Sequence, residues 1–200
     1  MNLKKSDLLR NNLIAIISLL VGVFTLLMYI KQTNLLTKQT NILIEQNKAA
    51  TWPYLFIGKN MVNPTDSITH FKILITNQGN GLAIIEKVVL RLDGVELRSW
   101  SDFYREMKVS FTNLVHYNSP IRNKVLMPGE ELSVIGWDNA ELLTFMYDRF
   151  MNLEMEICYR SVLGEYWTVK RTSFHESKSS DDIMFYEDGC RISATTYFRE

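Results

Sequence analysis

Three histidines, two cysteines and one close pair of acids are the residues of this chain whose types could support catalysis or metal binding. A metal site needs His, Cys, Asp or Glu ligands at short, recurring spacings. His70, His116 and His175 stand far apart, and none has a Cys, His or Asp at such a spacing. Glu154 and Glu156 sit two apart on a predicted strand and therefore share a face. That arrangement suits an acid/base pair or a solvated surface equally well. Cys158 lies among the alternating residues Met155, Ile157 and Tyr159 and has no histidine partner, which reads as a strand position rather than a nucleophile. Gly79-Asn80-Gly81 has the small residues of a phosphate loop without the following helix and lysine, so it reads as a turn. No Gly-x-Ser-x-Gly elbow, P-loop or Cys-x-x-Cys occurs. The expectation is therefore no catalytic residue, no metal and no cofactor. A cleft lined by perturbed acids such as Glu154 or Glu156 would reopen the question.

Charge narrows the partners. The 22 basic and 22 acidic residues cancel, whereas direct nucleic-acid binding usually requires a basic field. Aromatic residues make up 12% of the chain, with four Trp, which excludes a disordered tail. Trp52, Tyr54 and Trp167 read as core or membrane-interface anchors rather than a stacking platform. Cys158 and Cys190 can form one disulfide or none, and that count leaves the compartment open.

The longest organising element is a charge-free run at 13–30. At about 1.5 Å per residue this stretch can just span a hydrocarbon core about 30 Å thick. It exceeds the roughly 7–15 residues of a signal-peptide core, and no small-x-small cleavage site follows it. It is also apolar all round, unlike the helix of a soluble core. Residues 1–12 form a flank, 13–30 a transmembrane helix, 31–51 a helical stalk and 52–200 a globular domain. Lys4, Lys5 and Arg10 precede the span while Lys31, Lys38 and Lys48 follow it, so positive charge gives almost no orientation.

The stalk repeats. Lys31-Gln-Thr-Asn-Leu-Leu-Thr37 is followed by Lys38-Gln-Thr-Asn-Ile-Leu-Ile44 and then Glu45-Gln-Asn-Lys-Ala-Ala-Thr51. Seven residues is the period of a supercoiled helix. Steps of three and four select Ala15, Ser18, Gly22, Thr25, Tyr29, Gln32, Leu36, Gln39, Leu43, Gln46 and Ala50. Small residues line this seam within the span, where they let helix backbones approach closely. Beyond it Leu alternates with Gln, and buried polar layers can fix register and partner number. A neighbouring seam through Leu35, Ile42 and Ala49 fits almost as well. Parallel self-association is the expectation, against a monomeric helix packed on its own domain. Ser18 and Thr25 are the polar side chains available to wet a pore.

Beyond Trp52-Pro53 the pattern turns to period two or continuous apolar runs. Strands are expected at 54–58, 69–77, 82–92, 95–98, 131–137, 153–161 and 166–172. In the third, Ile84, Val88, Leu90 and Leu92 are assigned to one face, with Lys87 and Arg91 on the other. Asp93-Gly94 marks a hairpin. Short helices are expected at 102–108 and, capped by Asn139, at 140–151. A loop is placed at 177–182 and an edge strand at 191–198. The fold class is an N-terminal transmembrane helix and stalk followed by a mainly-β antiparallel sandwich, immunoglobulin-like in style, with a short helical insertion.

This order of elements, with Trp52-Pro53-Tyr54-Leu55, Asn77-Gln-Gly-Asn-Gly-Leu-Ala83, Cys158-Tyr-Arg-Ser161 and Tyr166-Trp167, resembles small bacterial single-pass membrane proteins. Among them are the transmembrane effectors of retron anti-phage systems. The likeness spans most of the chain, and its motifs are turns and a helix exit, so no catalytic residues carry over. It implies an inner-membrane protein with the domain leaning to the cytoplasm. Such an effector oligomerises, works beside a reverse transcriptase and compromises the membrane to abort infection. The alternative from the residues is a tethered adaptor, periplasmic or cytoplasmic, without toxic activity.

Overall fold

The computed structural model describes residues 3–62, 69–109, 116–175, 181–186, 189–192 and 194–199. The expected loop at 177–182 therefore falls largely outside the described residues. Two compact units emerge, Met1–Ala49 and Ala50–Glu200.

The first unit is one unbroken helix, α1 (Leu3–Ala50). With no proline before Pro53, nothing removes a backbone donor along its length. Asn12–Ala50 is, among the described residues, the one helix long and apolar enough to cross a membrane, and none of its apolar window is buried.

The second unit is an antiparallel sandwich. One sheet has the order β1 (Leu55–Val62), β2 (His70–Asn77), β7 (Glu131–Trp137) and β5 (His116–Asn118). The other runs β10 (Asp181–Tyr186), β9 (Tyr166–Arg171), β8 (Leu153–Arg160), β3 (Ala83–Leu92) and β4 (Val95–Leu97), with β6 (Val125–Leu126) also paired to β3. Ile57, Ile73 and Ile75 of the first sheet share one core with Ile85, Val88, Ile157 and Val169 of the second. Two short helices close this core. Ser99 caps α2 (Trp100–Met107) by accepting a hydrogen bond from the Asp102 amide, and Asn139 caps α3 (Ala140–Phe150) through that of Leu142. Leu143, Met146 and Phe150 form the buried face of α3. The β3–β4 hairpin turns at Asp93 and Gly94, whose φ values of 49° and 83° lie in the left-handed region a tight primed turn demands.

Two expectations are corrected. The register of β3 on β8 shifts between Ile85 and Lys87. This bulge inverts the alternation, so Ile85 and Val88 face the core while Ile84 is only half-buried. The edge strand is β10, not 191–198, which holds no strand among its described residues. Instead Ile192 covers Val89 and Cys158 on the face away from the main core. The Phe198 amide donates to the Val88 carbonyl, and its ring stands 5.0 Å from that of Trp100.

Polar groups also join the layers. The buried Arg171 guanidinium donates to the Ile57 carbonyl of β1 at 2.7 Å and to the Ser173 carbonyl at 3.2 Å. The Leu55 amide donates to the Tyr159 hydroxyl at 3.4 Å. Sheet-edge groups that would otherwise be buried without partners are thereby satisfied.

Candidate functional site

An α-helix satisfies its own backbone, so what α1 offers a partner is decided by its side chains. Leu19, Phe24 and Tyr29 are 69%, 65% and 67% exposed. The Ser18 hydroxyl donates to the Ile14 carbonyl at 2.9 Å, and the Thr25 hydroxyl to that of Val21 at 2.7 Å. Thr33, Thr37 and Thr40 repeat the pattern in the stalk. These hydroxyls therefore need no water, which is how a polar residue sits at low cost in an apolar span. A Cβ built on Gly22 meets nothing within 4 Å, so this glycine answers no need of its own helix.

Ala15, Ser18, Gly22, Thr25, Gln32, Leu36, Gln39, Leu43 and Gln46 all lie on this one exposed helix. On a straight helix such a seam drifts by about 20° per heptad, and a left-handed supercoil removes the drift. Lys31, Asn34, Leu35 and Lys38 line a shallow depression beside it, close to the alternative seam through Leu35. Lys48 pairs with Glu45 at 3.8 Å.

The turn at 77–81 has a purpose that spacing alone did not reveal. The wholly buried Asn77 accepts from the Tyr54 and Gly79 amides, and it donates to the Gly81 carbonyl at 2.7 Å and that of Leu126 at 3.1 Å. The Asn80 and Gly81 amides donate to the Trp52 carbonyl. A Cβ on Gly79 would come within 2.4 Å of the Trp52 carbonyl oxygen, and one on Gly81 within 1.7 Å of that of Thr51. Glycine is required because two backbones touch, and the loop grips residues 51–54. No phosphate cradle is formed.

The candidate acids are committed elsewhere. Arg91 of β3 donates to Glu154 at 2.7 Å and Glu156 at 3.1 Å, and Lys170 reaches Glu154 at 2.9 Å. Burial works against the charged Arg91, but the bonds to both carboxylates prevail and its pKa is raised. This is an ion-pair network across three strands. Glu96 is held below the usual carboxylate range, above all by the Thr195 hydroxyl, with the Thr195 and Thr196 amides adding to the effect.

Two pairings joined residues that spacing kept apart. His70 Nδ1 bonds Asp138 Oδ1, because the β2–β7 register sets Phe71 opposite Trp137. Cys158 and Cys190 form a disulfide with Cα atoms 5.7 Å apart. Among the described residues no cluster of His, Cys, Asp or Glu could hold a metal ion. Inside the core, the Trp137 indole donates to the Tyr104 hydroxyl at 2.8 Å. Burial pushes the Tyr104 phenol up to about 12 against that bond. It does the same to Tyr159, opposed by the Leu55 amide.

In comparisons with known proteins, no family model, no curated protein and no solved structure matches this chain.

Proposed function

We propose that this protein is a non-enzymatic membrane effector of the retron-type anti-phage class. Its helix self-associates in the bacterial inner membrane and compromises that membrane on activation. One observation carries the reading: an unbroken helix, its apolar window wholly unburied, bears a seam of small residues in its span and of Leu and Gln in its stalk. The layout shared with retron effectors supplies the biological setting, including a reverse transcriptase as a partner of the complex. Activation requires a ligand or partner that prefers one assembly state, because without differential affinity nothing shifts.

The test is expression of the full chain in bacteria with a potential-sensitive dye, with and without phage challenge. Depolarisation and growth arrest are expected under challenge, reduced at least tenfold by Gly22→Leu combined with Gln39→Lys. Unchanged membrane potential under every trigger overturns the proposal.

The Cys158–Cys190 disulfide favours a second reading, an envelope-side adaptor that binds another protein through its sandwich. Disulfides persist in oxidising compartments, so this reading has the domain on the periplasmic side. A membrane-impermeant thiol reagent applied to intact cells separates the two. Labelling of Val62→Cys indicates the periplasmic side, and its protection the cytoplasmic side.

A further inference from the structure

Arg98, at the end of β4, Arg122, in the turn before β6, and Arg199, near the C-terminus, line a single cleft of about 780 Å³ with Ser99, Thr195, Thr196 and Tyr197. Three separate stretches of chain thus supply one positive charge each. Among the described residues none of these guanidinium groups has an ion-pair partner, whereas Lys72, Arg91, Arg105, Arg149, Arg160 and Lys170 do. The acid nearest Arg98 in sequence, Glu96, is occupied. It accepts from the Thr195 amide at 3.0 Å and hydroxyl at 2.5 Å, from the Thr196 amide at 3.0 Å, and pairs with Arg91 at 3.6 Å. Asp102 is likewise taken, by Arg105 at 2.6 Å and by the Arg98 amide at 3.0 Å.

The walls are fixed. The Arg199 amide donates to the Arg98 carbonyl at 3.1 Å, which holds two of the arginines beside each other along the backbone. Phe198, 1% exposed, plugs into the core between them, and the disulfide anchors the same segment at Cys190. Lys87 lies 5.1 Å above the Tyr197 ring and adds a further cation to this side of the sheet. A group of guanidiniums without ion pairs among the described residues, set on a braced backbone, is poised for an anion, because the backbone's ordering cost is already met before a ligand arrives.

We propose that this cleft binds a ligand carrying two linked phosphate groups. A guanidinium presents five N–H donors in a planar fork that matches phosphate oxygens two at a time. Three such forks carry more positive charge than one phosphate neutralises, and two linked phosphates match it better. The volume lies within the roughly 300–1,000 Å³ of small-molecule sites and leaves space beyond the phosphates, with Tyr197 as an aromatic wall. Paired phosphates come from two sources, a soluble diphosphate such as pyrophosphate or a nucleotide, or the headgroup of cardiolipin. The proposal is independent of helix self-association and stands or falls without it.

The experiment uses the full chain in detergent micelles. Calorimetric titrations use pyrophosphate, ATP and orthophosphate, and a second series adds the same detergent micelles doped with cardiolipin or with phosphatidylethanolamine. Pyrophosphate and ATP, or cardiolipin-doped micelles, are expected to bind at least tenfold more tightly than orthophosphate or phosphatidylethanolamine-doped micelles respectively. Affinity should fall steeply with added salt. Arg98→Ala, Arg122→Ala and Arg199→Ala should each weaken binding at least fivefold, and the triple variant should abolish it. These side chains are exposed, so thermal unfolding should stay unchanged. Lys72→Ala in the opposite sheet should bind as the parent does. Response to the soluble probes assigns a free diphosphate, and response to cardiolipin-doped micelles alone assigns the lipid headgroup. Absence of binding to all probes, or full binding by the triple variant, overturns the proposal.

Discussion

The two units of this chain treat the same kinds of side chain in opposite ways. In α1, Leu19 and Phe24 are 69% and 65% exposed, whereas Phe71 and Trp137 of the sandwich are 1% and 0% exposed. Phe150 lies 4.5 Å from the Phe71 ring and 5.1 Å from that of Trp137, so the sandwich supplies its own apolar environment. The helix supplies none and needs a solvent that does. Stability of the second unit is therefore internal, while that of the first is set by whatever surrounds it. Substitutions can break this contrast or sharpen it.

The largest expected effect is at the centre of the sandwich. Trp137→Ala empties a wholly buried site and leaves the Tyr104 hydroxyl without its donor. The cavity term and the orphaned hydroxyl together should cost more than about 4 kcal/mol. Phe24→Ala removes an aromatic ring from α1, and the unfolding of the sandwich should not change. Urea unfolding followed by circular dichroism measures both. Equal losses from the two substitutions would break the contrast.

The disulfide comes next. Its cysteines are 32 residues apart, and closing a loop of that length stabilises a folded domain by about 3–4 kcal/mol in the chain-entropy model. Replacing both cysteines with serine should lower the urea midpoint accordingly. A reductant should act on the parent in the same way and leave the double variant unmoved.

What was legible in the sequence follows the same division. The charge-free run of α1, the Asp93-Gly94 turn, the Asn139 cap and β7 are local signals, and each stands where the pattern put it. Pairing across distance was hidden. Nothing near His70 in the chain announces Asp138, which only the β2–β7 register brings to it. The bulge near Glu86 is a property of two strands together, so a period-two reading of β3 alone misassigned Ile84. Arg98, Arg122 and Arg199 are isolated in sequence and meet only because the C-terminal segment folds back over β3. The residues proposed as a seam could be set along α1 from spacing alone because a helix turns sequence into surface with fixed geometry.

High pH gives a smaller effect, confined again to the sandwich. Tyr104 and Tyr159 ionise at about 12 in the folded state, chiefly because burial disfavours the phenolate. In the unfolded chain a tyrosine ionises near 10. With the folded pKa raised, the stabilisation is complete below about pH 10 and is lost as pH rises towards 12. By pH 11 the loss should be roughly 1 kcal/mol for each tyrosine, or about 2–3 kcal/mol for the pair. Ultraviolet difference spectra of tyrosinate, taken alongside unfolding curves at pH 9, 10 and 11, test the sign. Tyr104 and Tyr159 titrating near 10 in the folded protein, identified by difference from Tyr104→Phe and Tyr159→Phe, would contradict it.

The smallest effect on folding is expected on the seam, and its smallness makes it informative. Ser18 and Thr25 spend their hydroxyls on their own helix, and Gly22 has open space where a side chain would go. Ser18→Ala and Thr25→Val should therefore leave the unfolding of the sandwich within about 0.5 kcal/mol of the parent. A Cβ at Gly22 has open space around it, so a lone helix accepts a leucine there. If helices pack through this seam, the same leucine separates backbones that small residues allow to touch, and crosslinked oligomers in detergent should fall at least fivefold. Leu20→Ala, outside the seam, should leave the oligomer yield unchanged. A Gly22→Leu protein that crosslinks like the parent would show that this face meets no other helix, and the seam through Leu35, Ile42 and Ala49 would be the one to alter next.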